Sequence, residues 1–126
     1  MATYYDLVII GAGPGGYTAA IKGASFGMKV AVVDENKLGG VCINRGCIPT
    51  KALLHASNIF SMMQHSDVFG VSTDFISFDF GKMQDYKKRS VKRYRGEIEK
   101  LFEKNKIDYI KGCLLYTSPS PRDPKT

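Results

Sequence analysis

Two short apolar runs with a glycine turn between them constrain this chain more than any other feature. Leu7-Val8-Ile9-Ile10 is followed at once by Gly11-Ala12-Gly13-Pro14-Gly15-Gly16, and Lys29-Val30-Ala31-Val32-Val33 ends in Asp34-Glu35-Asn36. Continuous apolar runs of this length suit strands buried on both faces of a parallel sheet. Tyr17 to Phe26 supplies small, helix-tolerant residues between them, and Gly27 suits a helix stop. Parallel neighbours need a crossover connection, usually a helix, and its hand is right-handed. The segment is therefore expected to form the βαβ unit of a Rossmann-like α/β domain.

The spacing Gly11-x-Gly13-x-x-Gly16 is a weak signal alone. A strand before it and a helix after it give it chemical meaning. Gly11 permits the tight turn, Gly13 lets backbone approach a pyrophosphate, and Gly16 lets the helix pack closely on the strand. The helix N-terminus then offers unpaired N–H groups and positive partial charge to that anion. Asp34, 18 residues after Gly16, is placed to accept hydrogen bonds from an adenosine ribose, with Glu35 beside it. The competing reading is a glycine turn that serves packing alone. A Walker-type phosphate loop is excluded, because no Gly-Lys-Ser/Thr follows.

The second chemical signal is Gly39-Gly40-Val41-Cys42-Ile43-Asn44-Arg45-Gly46-Cys47. Five residues of regular helix would separate the two Cα atoms by about 7.5 Å along the axis. A disulfide wants roughly 4.4–6.8 Å. The pair can bridge only if the backbone between them departs from a regular helix, and the neighbouring glycines allow that. Pro49 suits a first helical turn, and Lys51 to Met63 continues as a helix. Cys47 then stands near a helix N-terminus with Arg45 and Lys51 close in sequence, which favours thiolate over thiol. Cys42 precedes it on what is expected to be the more accessible loop. Two unpaired core cysteines are the bland alternative. Zinc is disfavoured, since His55 and His65 show no ligand spacing with further cysteines.

Residues 66–80 alternate weakly and suit irregular chain or a minor strand. Gly81 to about Asn105 suits a long amphipathic helix, with Val91, Tyr94, Ile98, Leu101 and Phe102 on one stripe, and Ile107 to Ile110 suits another strand. The net charge of +6 is concentrated on that helix, in Lys87, Lys88, Arg89, Lys92, Arg93 and Arg95. A solvated outer face explains such a cluster better than nucleic acid, because no aromatic stacking platform accompanies it. No run approaches the ~20 apolar residues of a membrane span, and the first residues lack the positive region of a signal peptide. The expected address is cytoplasmic, with no nucleic-acid or membrane partner.

Tyr5-Asp-Leu-Val-Ile-Ile-Gly-Ala-Gly-Pro-Gly-Gly16 and Leu38-Gly-Gly-Val-Cys-Ile-Asn-Arg-Gly-Cys-Ile-Pro-Thr-Lys-Ala-Leu53 together closely resemble the flavoprotein disulfide reductases, and among them the dihydrolipoamide dehydrogenase group. The resemblance covers about residues 4–112. It implies FAD, with Gly11, Gly13, Pro14, Gly15, Gly16, Asp34 and Glu35 on its ADP half. Gly39, Gly40, Val41 and Lys51 would face the phosphates and flavin. It also implies a Cys42–Cys47 disulfide, with Cys47 beside the flavin and Cys42 exchanging with dihydrolipoyl substrate. Dihydrolipoamide would be oxidised to lipoamide and hydride passed from FAD to NAD+. Lipoyl domains of 2-oxo-acid dehydrogenase complexes or the glycine cleavage system would be the partners, and the full-length chain a homodimer. Asp34 stands where Glu is common in that family, and Val41 where Thr is frequent.

Family chains are several times longer, with an NAD domain and a C-terminal dimer domain that supplies a His–Glu pair; His55 does not match that His. Residues 1–112 are thus expected to be the N-terminal part of an FAD-binding domain, followed by the redox-cysteine helix and the long amphipathic helix, and inactive alone. Residues 113–126, with Pro119, Pro121 and Pro124, are expected to be a disordered, extraneous tail in which Leu114 replaces a usual small residue. The alternatives are a non-catalytic nucleotide-binding module, or a same-family reductase of another substrate, of the mercuric or glutathione type.

Overall fold

Each expected element forms close to its expected place in the computed structural model, which describes residues 2–112. The expected tail, 113–126, lies outside the described residues. In chain order the elements are β1 (Leu7–Ile10), α1 (Pro14–Ser25), β2 (Val30–Asp34), α2 (Gly40–Asn44), α3 (Cys47–Gln64), a 3-10 turn (Ser66–Phe69), α4 (Phe80–Lys104) and β3 (Asp108–Lys111). The described residues divide into two units, one of 2–40 with 97–112 and one of 41–96.

The first unit is a three-stranded parallel sheet in the order β1-β2-β3. Leu7 lies opposite Val30 and Ile9 opposite Val32, so the two strands present one apolar row each to the same side. Helix α1 packs on them, and its small residues allow a close approach. Ala20, Val30, Val32, Leu38, Phe102 and Ile107 form the buried core there, with Leu7, Ile9, Tyr17, Ile21 and Ile98 packed around it. Pro14 occupies the first turn of α1, where its missing N–H costs nothing, and Gly27 ends the helix in the left-handed region (φ +83°) with its N–H on the Ala24 carbonyl.

The expectation that β1 is buried on both faces fails. Val8 and Ile10 are 54% and 60% exposed, while only Leu7 and Ile9 turn inward. The reason is position: β1 is an edge strand, and among the described residues the helical packing covers one side of it. The central strand β2 fits the expectation better, with Val30, Ala31 and Val32 all buried.

In the second unit, α3 runs 18 residues and α4 begins where Asp79 accepts the Lys82 N–H (3.0 Å) at its first turn. Residues 71–79 form no strand, which leaves the irregular reading. The expected apolar stripe of α4 is only partly buried. Phe102 is buried and Val91 and Ile98 are half-buried, but Tyr94 and Leu101 are exposed.

Candidate functional site

At the end of β1 the chain must turn sharply to start α1, and the turn is held from β2. The Gly11 N–H donates to the Val33 carbonyl (2.7 Å) with φ at +100°, a conformation that favours glycine. The next N–H, of Ala12, donates to Asp34 Oδ2 (2.8 Å), and Asp34 Oδ1 accepts from the Asn36 N–H (2.8 Å). These two backbone donors, Ala12 first, hold the Asp34 carboxyl below the usual carboxylate range. Asp34 is therefore an anion that clamps the glycine turn to the end of β2, a role its sequence position does not announce. Glu35 is exposed beside it.

Gly13 caps α1 in an extended conformation (φ −75°, ψ −172°) without a side-chain bond, so its N-terminal N–H groups are presented by backbone alone. Gly16 is required by packing: a Cβ there would lie 1.8 Å from the Gly11 carbonyl oxygen. The second pair of glycines, distant in sequence, comes to the same place. The Gly39 N–H donates to the Ala12 carbonyl (2.9 Å), and a Cβ on Gly40 would lie 2.6 Å from Gly13 Cα. Gly39 and Gly40 both have positive φ (+102° and +62°). By contrast nothing lies within 4 Å of a Cβ placed on Gly13 or Gly15. The result is a backbone cradle sealed by glycine on its inner side and open at the helix start, with the room and the donors that a dinucleotide phosphate needs.

Tyr109 and Asn36 were not among the expected site residues. The Tyr109 hydroxyl donates to the Asn36 carbonyl, and the Gly112 N–H to the Asp34 carbonyl (3.1 Å), so β3 braces the acid-bearing turn. Burial first, then the Asp34 charge, raises the Tyr109 pKa and keeps its proton on. The strand was legible in Ile107 to Ile110; its brace depends on register with β2, where Val32 faces Tyr109.

In the second unit the two cysteines form a disulfide with Cα atoms 4.5 Å apart. The required departure from regular helix occurs at one place, between α2 and α3. Gly46 (φ −121°, ψ −101°) breaks the helical path, and a Cβ there would lie 3.2 Å from the Val41 carbonyl oxygen. The Arg45 N–H donates to the Val41 carbonyl (2.8 Å) and the Thr50 N–H to the Gly46 carbonyl (3.1 Å), so both sides of the break are tied. The bland alternative of unpaired cysteines is thereby removed. Cys47 is the first residue of α3, as expected. The expected accessibility is corrected, however: Cys42 lies within α2 rather than on a loop and is half-buried, whereas Cys47 is exposed. A side chain enclosed in a helical turn is shielded by its neighbours, which sequence order does not reveal.

Val41, Arg45 and Lys51 are exposed around this segment, with Lys51 one turn of α3 beyond Cys47. His55 and His65 are exposed on α3 and at its end, and His65 Nδ1 pairs with the Ser61 carbonyl. Among the described residues no group of three or more His, Cys, Asp or Glu could hold a metal ion. No described helix is long and apolar enough to cross a membrane.

A strand, a glycine cradle and a redox-capable cysteine pair in this order have relatives. The family profile for pyridine nucleotide-disulphide oxidoreductases matches residues 5–123. The chain belongs to this family. Among oxidoreductases of known name, dihydrolipoyl dehydrogenase from Staphylococcus aureus is 50% identical over 107 residues, which is 85% of this chain and 23% of that protein. The Manduca sexta dihydrolipoyl dehydrogenase is 49% identical over 117 residues, 91% of this chain and 24% of the relative. The HOCl-induced flavoprotein disulfide reductase RclA from Escherichia coli, solved as a Cu(II) complex, superposes with a TM-score of 0.67 at 31% identity, covering 85% of this chain and 22% of that one. The chain thus spans about a quarter of the length of the curated relatives it matches.

Proposed function

We propose that the chain is the FAD-holding and disulfide-bearing portion of a dihydrolipoyl dehydrogenase, which oxidises dihydrolipoamide to lipoamide and delivers hydride to NAD+. The observation that carries this reading is the Cys42–Cys47 disulfide, formed across a helix break with Cys47 as the first residue of α3. A structural staple would not need a helix N-terminus at one of its sulfurs. A disulfide that must release a thiolate benefits from one, because the unpaired N–H groups there stabilise the anion.

In this reading one thiolate of the substrate attacks Cys42 Sγ, the sulfur–sulfur bond breaks, and Cys47 leaves as thiolate at the start of α3. The second substrate thiol then attacks its own sulfur in the mixed disulfide. Substrate leaves as a cyclic disulfide and Cys42 as a thiol that takes one substrate proton; the other substrate proton is lost to solvent, Cys47 stays a thiolate, and two electrons have passed to the protein pair. The exposed Cys47 leaves the opposite order of attack sterically open, so the assignment to Cys42 rests on the helix start favouring Cys47 as leaving group.

The glycine cradle fits a dinucleotide: Gly16 and Gly40 seal it against any side chain, while Gly13 and Gly15 leave it open. Backbone at Gly11, Gly13, Pro14, Gly15 and Gly16 would hold the pyrophosphate of FAD, Asp34 and Glu35 the adenosine ribose, and Gly39 and Gly40 the closing wall. Val41 and Lys51 are assigned to the flavin side through the family likeness. FAD, when bound, supplies the two-electron acceptor that returns the pair to disulfide. Lipoyl-bearing proteins are the proposed partners, a homodimer the proposed assembly of the full-length chain, and the cytoplasm the proposed location.

The test is lipoamide reduction by NADH in the full-length protein, with Cys42→Ser and Cys47→Ser variants. Both are expected to abolish turnover. Turnover that survives either substitution would overturn the proposal.

A further inference from the structure

The redox segment adjoins an unusually one-signed surface. A groove of about 330 Å³ within residues 41–96 is lined by Asn44 and Arg45, which lie between the two cysteines in sequence, and by Lys87, Lys88, Lys92 and Arg95 of α4. Its remaining lining residues are Pro49 and Val91. None of the residues lining it is acidic, and none is aromatic. The Arg95 guanidinium donates to Asn44 Oδ1 (3.2 Å), which fixes α4 to the segment between the cysteines. Lys88 has a loose ion pair with Asp85 (3.6 Å), both largely exposed, which surface solvation makes weak.

Thus the basic cluster is not only a solvated outer face. Arg89 and Arg93 do not line the groove, but the other four cations of the cluster meet Arg45 in it. The charges run from residue 87 to residue 95, eight residues of helix or about 12 Å. That is longer than one phosphate or carboxylate and suits a row of carboxylates. Three of the five cations are lysines, hydrated point charges on flexible stems, rather than the planar forks that grip a single phosphate. The lack of an aromatic wall removes the platform on which a nucleic-acid base would stack.

We infer that this groove docks an acidic protein surface, that of the protein carrying the dithiol which exchanges with Cys42–Cys47. The inference rests on the disulfide-exchange reading above and adds to it the means of recognising the carrier. Free dihydrolipoamide is uncharged and gains nothing from the cations. A dithiol borne on an acidic domain is drawn to the segment that holds the disulfide, and the gain is in encounter rate.

The experiment compares the full-length protein with its Lys88→Glu/Lys92→Glu double variant, both positions being exposed. Lys104→Glu, exposed on the same helix outside the groove, controls for a charge reversal elsewhere on that helix. Turnover is measured with free dihydrolipoamide and with the dihydrolipoyl group on an acidic lipoyl domain, across 20–300 mM salt. Direct binding of that domain is measured by fluorescence anisotropy. For the double variant kcat/KM with the acidic domain should fall about tenfold at low salt, lose most of its salt dependence, and remain unchanged with free dihydrolipoamide. Lys104→Glu should change neither. Equal losses with both substrates, no loss with either, or an equal loss in Lys104→Glu would overturn the docking site. If the wild-type protein turns over neither substrate, the disulfide-exchange reading fails. Binding then decides the groove by itself: affinity weakened about tenfold in the double variant alone sustains an acidic-protein site, and unchanged affinity refutes it.

Discussion

Replacing Asp34 by Asn isolates what the carboxylate does for the glycine turn. Its two oxygens accept the Ala12 and Asn36 N–H groups at 2.8 Å each. Asn offers one carbonyl oxygen, so one of these backbone donors must face an amide N–H₂ instead. A hydrogen bond to a charged group contributes ~1.5–3 kcal/mol, and partial exposure places this site at the lower end. Losing one such bond and weakening the other should cost about 2 kcal/mol at neutral pH. In a domain of this size that lowers Tm by about 10 °C.

The pH dependence follows from the direction of the shift. The folded protein holds the carboxyl below its ordinary value of 3.8, so folding favours the ionised form. The stabilisation is full above about pH 4–5, where the unfolded chain is also ionised, and is lost as pH falls through the folded value. Asn has no such titration. Thermal melts followed by circular dichroism from pH 7 to pH 3 should show the wild-type advantage over Asp34→Asn shrinking only at the acid end. A gap below about 2 °C at pH 7, or one of constant size down to pH 3, would refute the clamp.

Gly16→Ala places a methyl 1.8 Å from the Gly11 carbonyl oxygen and must displace backbone, so denaturant titration should show a loss of about 3 kcal/mol; a loss under about 1 kcal/mol would mean the turn yields freely. In Cys42→Ser the remaining Cys47, exposed at the start of α3, should be alkylated by iodoacetamide at pH 7 several-fold faster than Cys42 is in Cys47→Ser. The reverse order would reassign the leaving group. The 126-residue chain alone, spanning about a quarter of its relatives, should show no NADH–lipoamide turnover in a coupled assay, and measurable turnover would contradict the proposed division of labour.

The βαβ unit was legible because its signals are local and agree: two apolar runs, a glycine spacing and an acid at the second strand's end. The cysteine pairing was legible only through the family resemblance; helical rise said no more than that a bridge would need a break, and Gly46 stands where the break falls. What escaped depends on neighbours rather than on sequence order. An apolar run such as Leu7-Val8-Ile9-Ile10 cannot say whether anything covers its second face, and Val8 and Ile10 prove exposed. Asp34 was expected to accept hydrogen bonds from a ribose, and its spacing said nothing of a second role. Its reach back to the Ala12 N–H follows from how β1 and β2 align, as does the brace from Tyr109. The shielding of Cys42 was hidden in the same way, inside a five-residue helix that no periodicity could show.

The span between the cysteines also governs how the protein tolerates being cycled. A cross-link stabilises a fold chiefly by shrinking the disorder of the unfolded chain, and the effect grows with the length of the loop it closes. Here the partners are five positions apart, so the contribution is about 2 kcal/mol on the chain-entropy scale. Opening the bond forfeits less than opening a bridge across a long loop would. The Arg45–Val41 and Thr50–Gly46 backbone bonds stand on either side of the break and tie the segment independently of the sulfurs. A bridge between distant elements would bring the molecule nearer to unfolding each time it was reduced. In the proposed exchange this one would be broken and remade with less loss of stability than a bridge between distant elements.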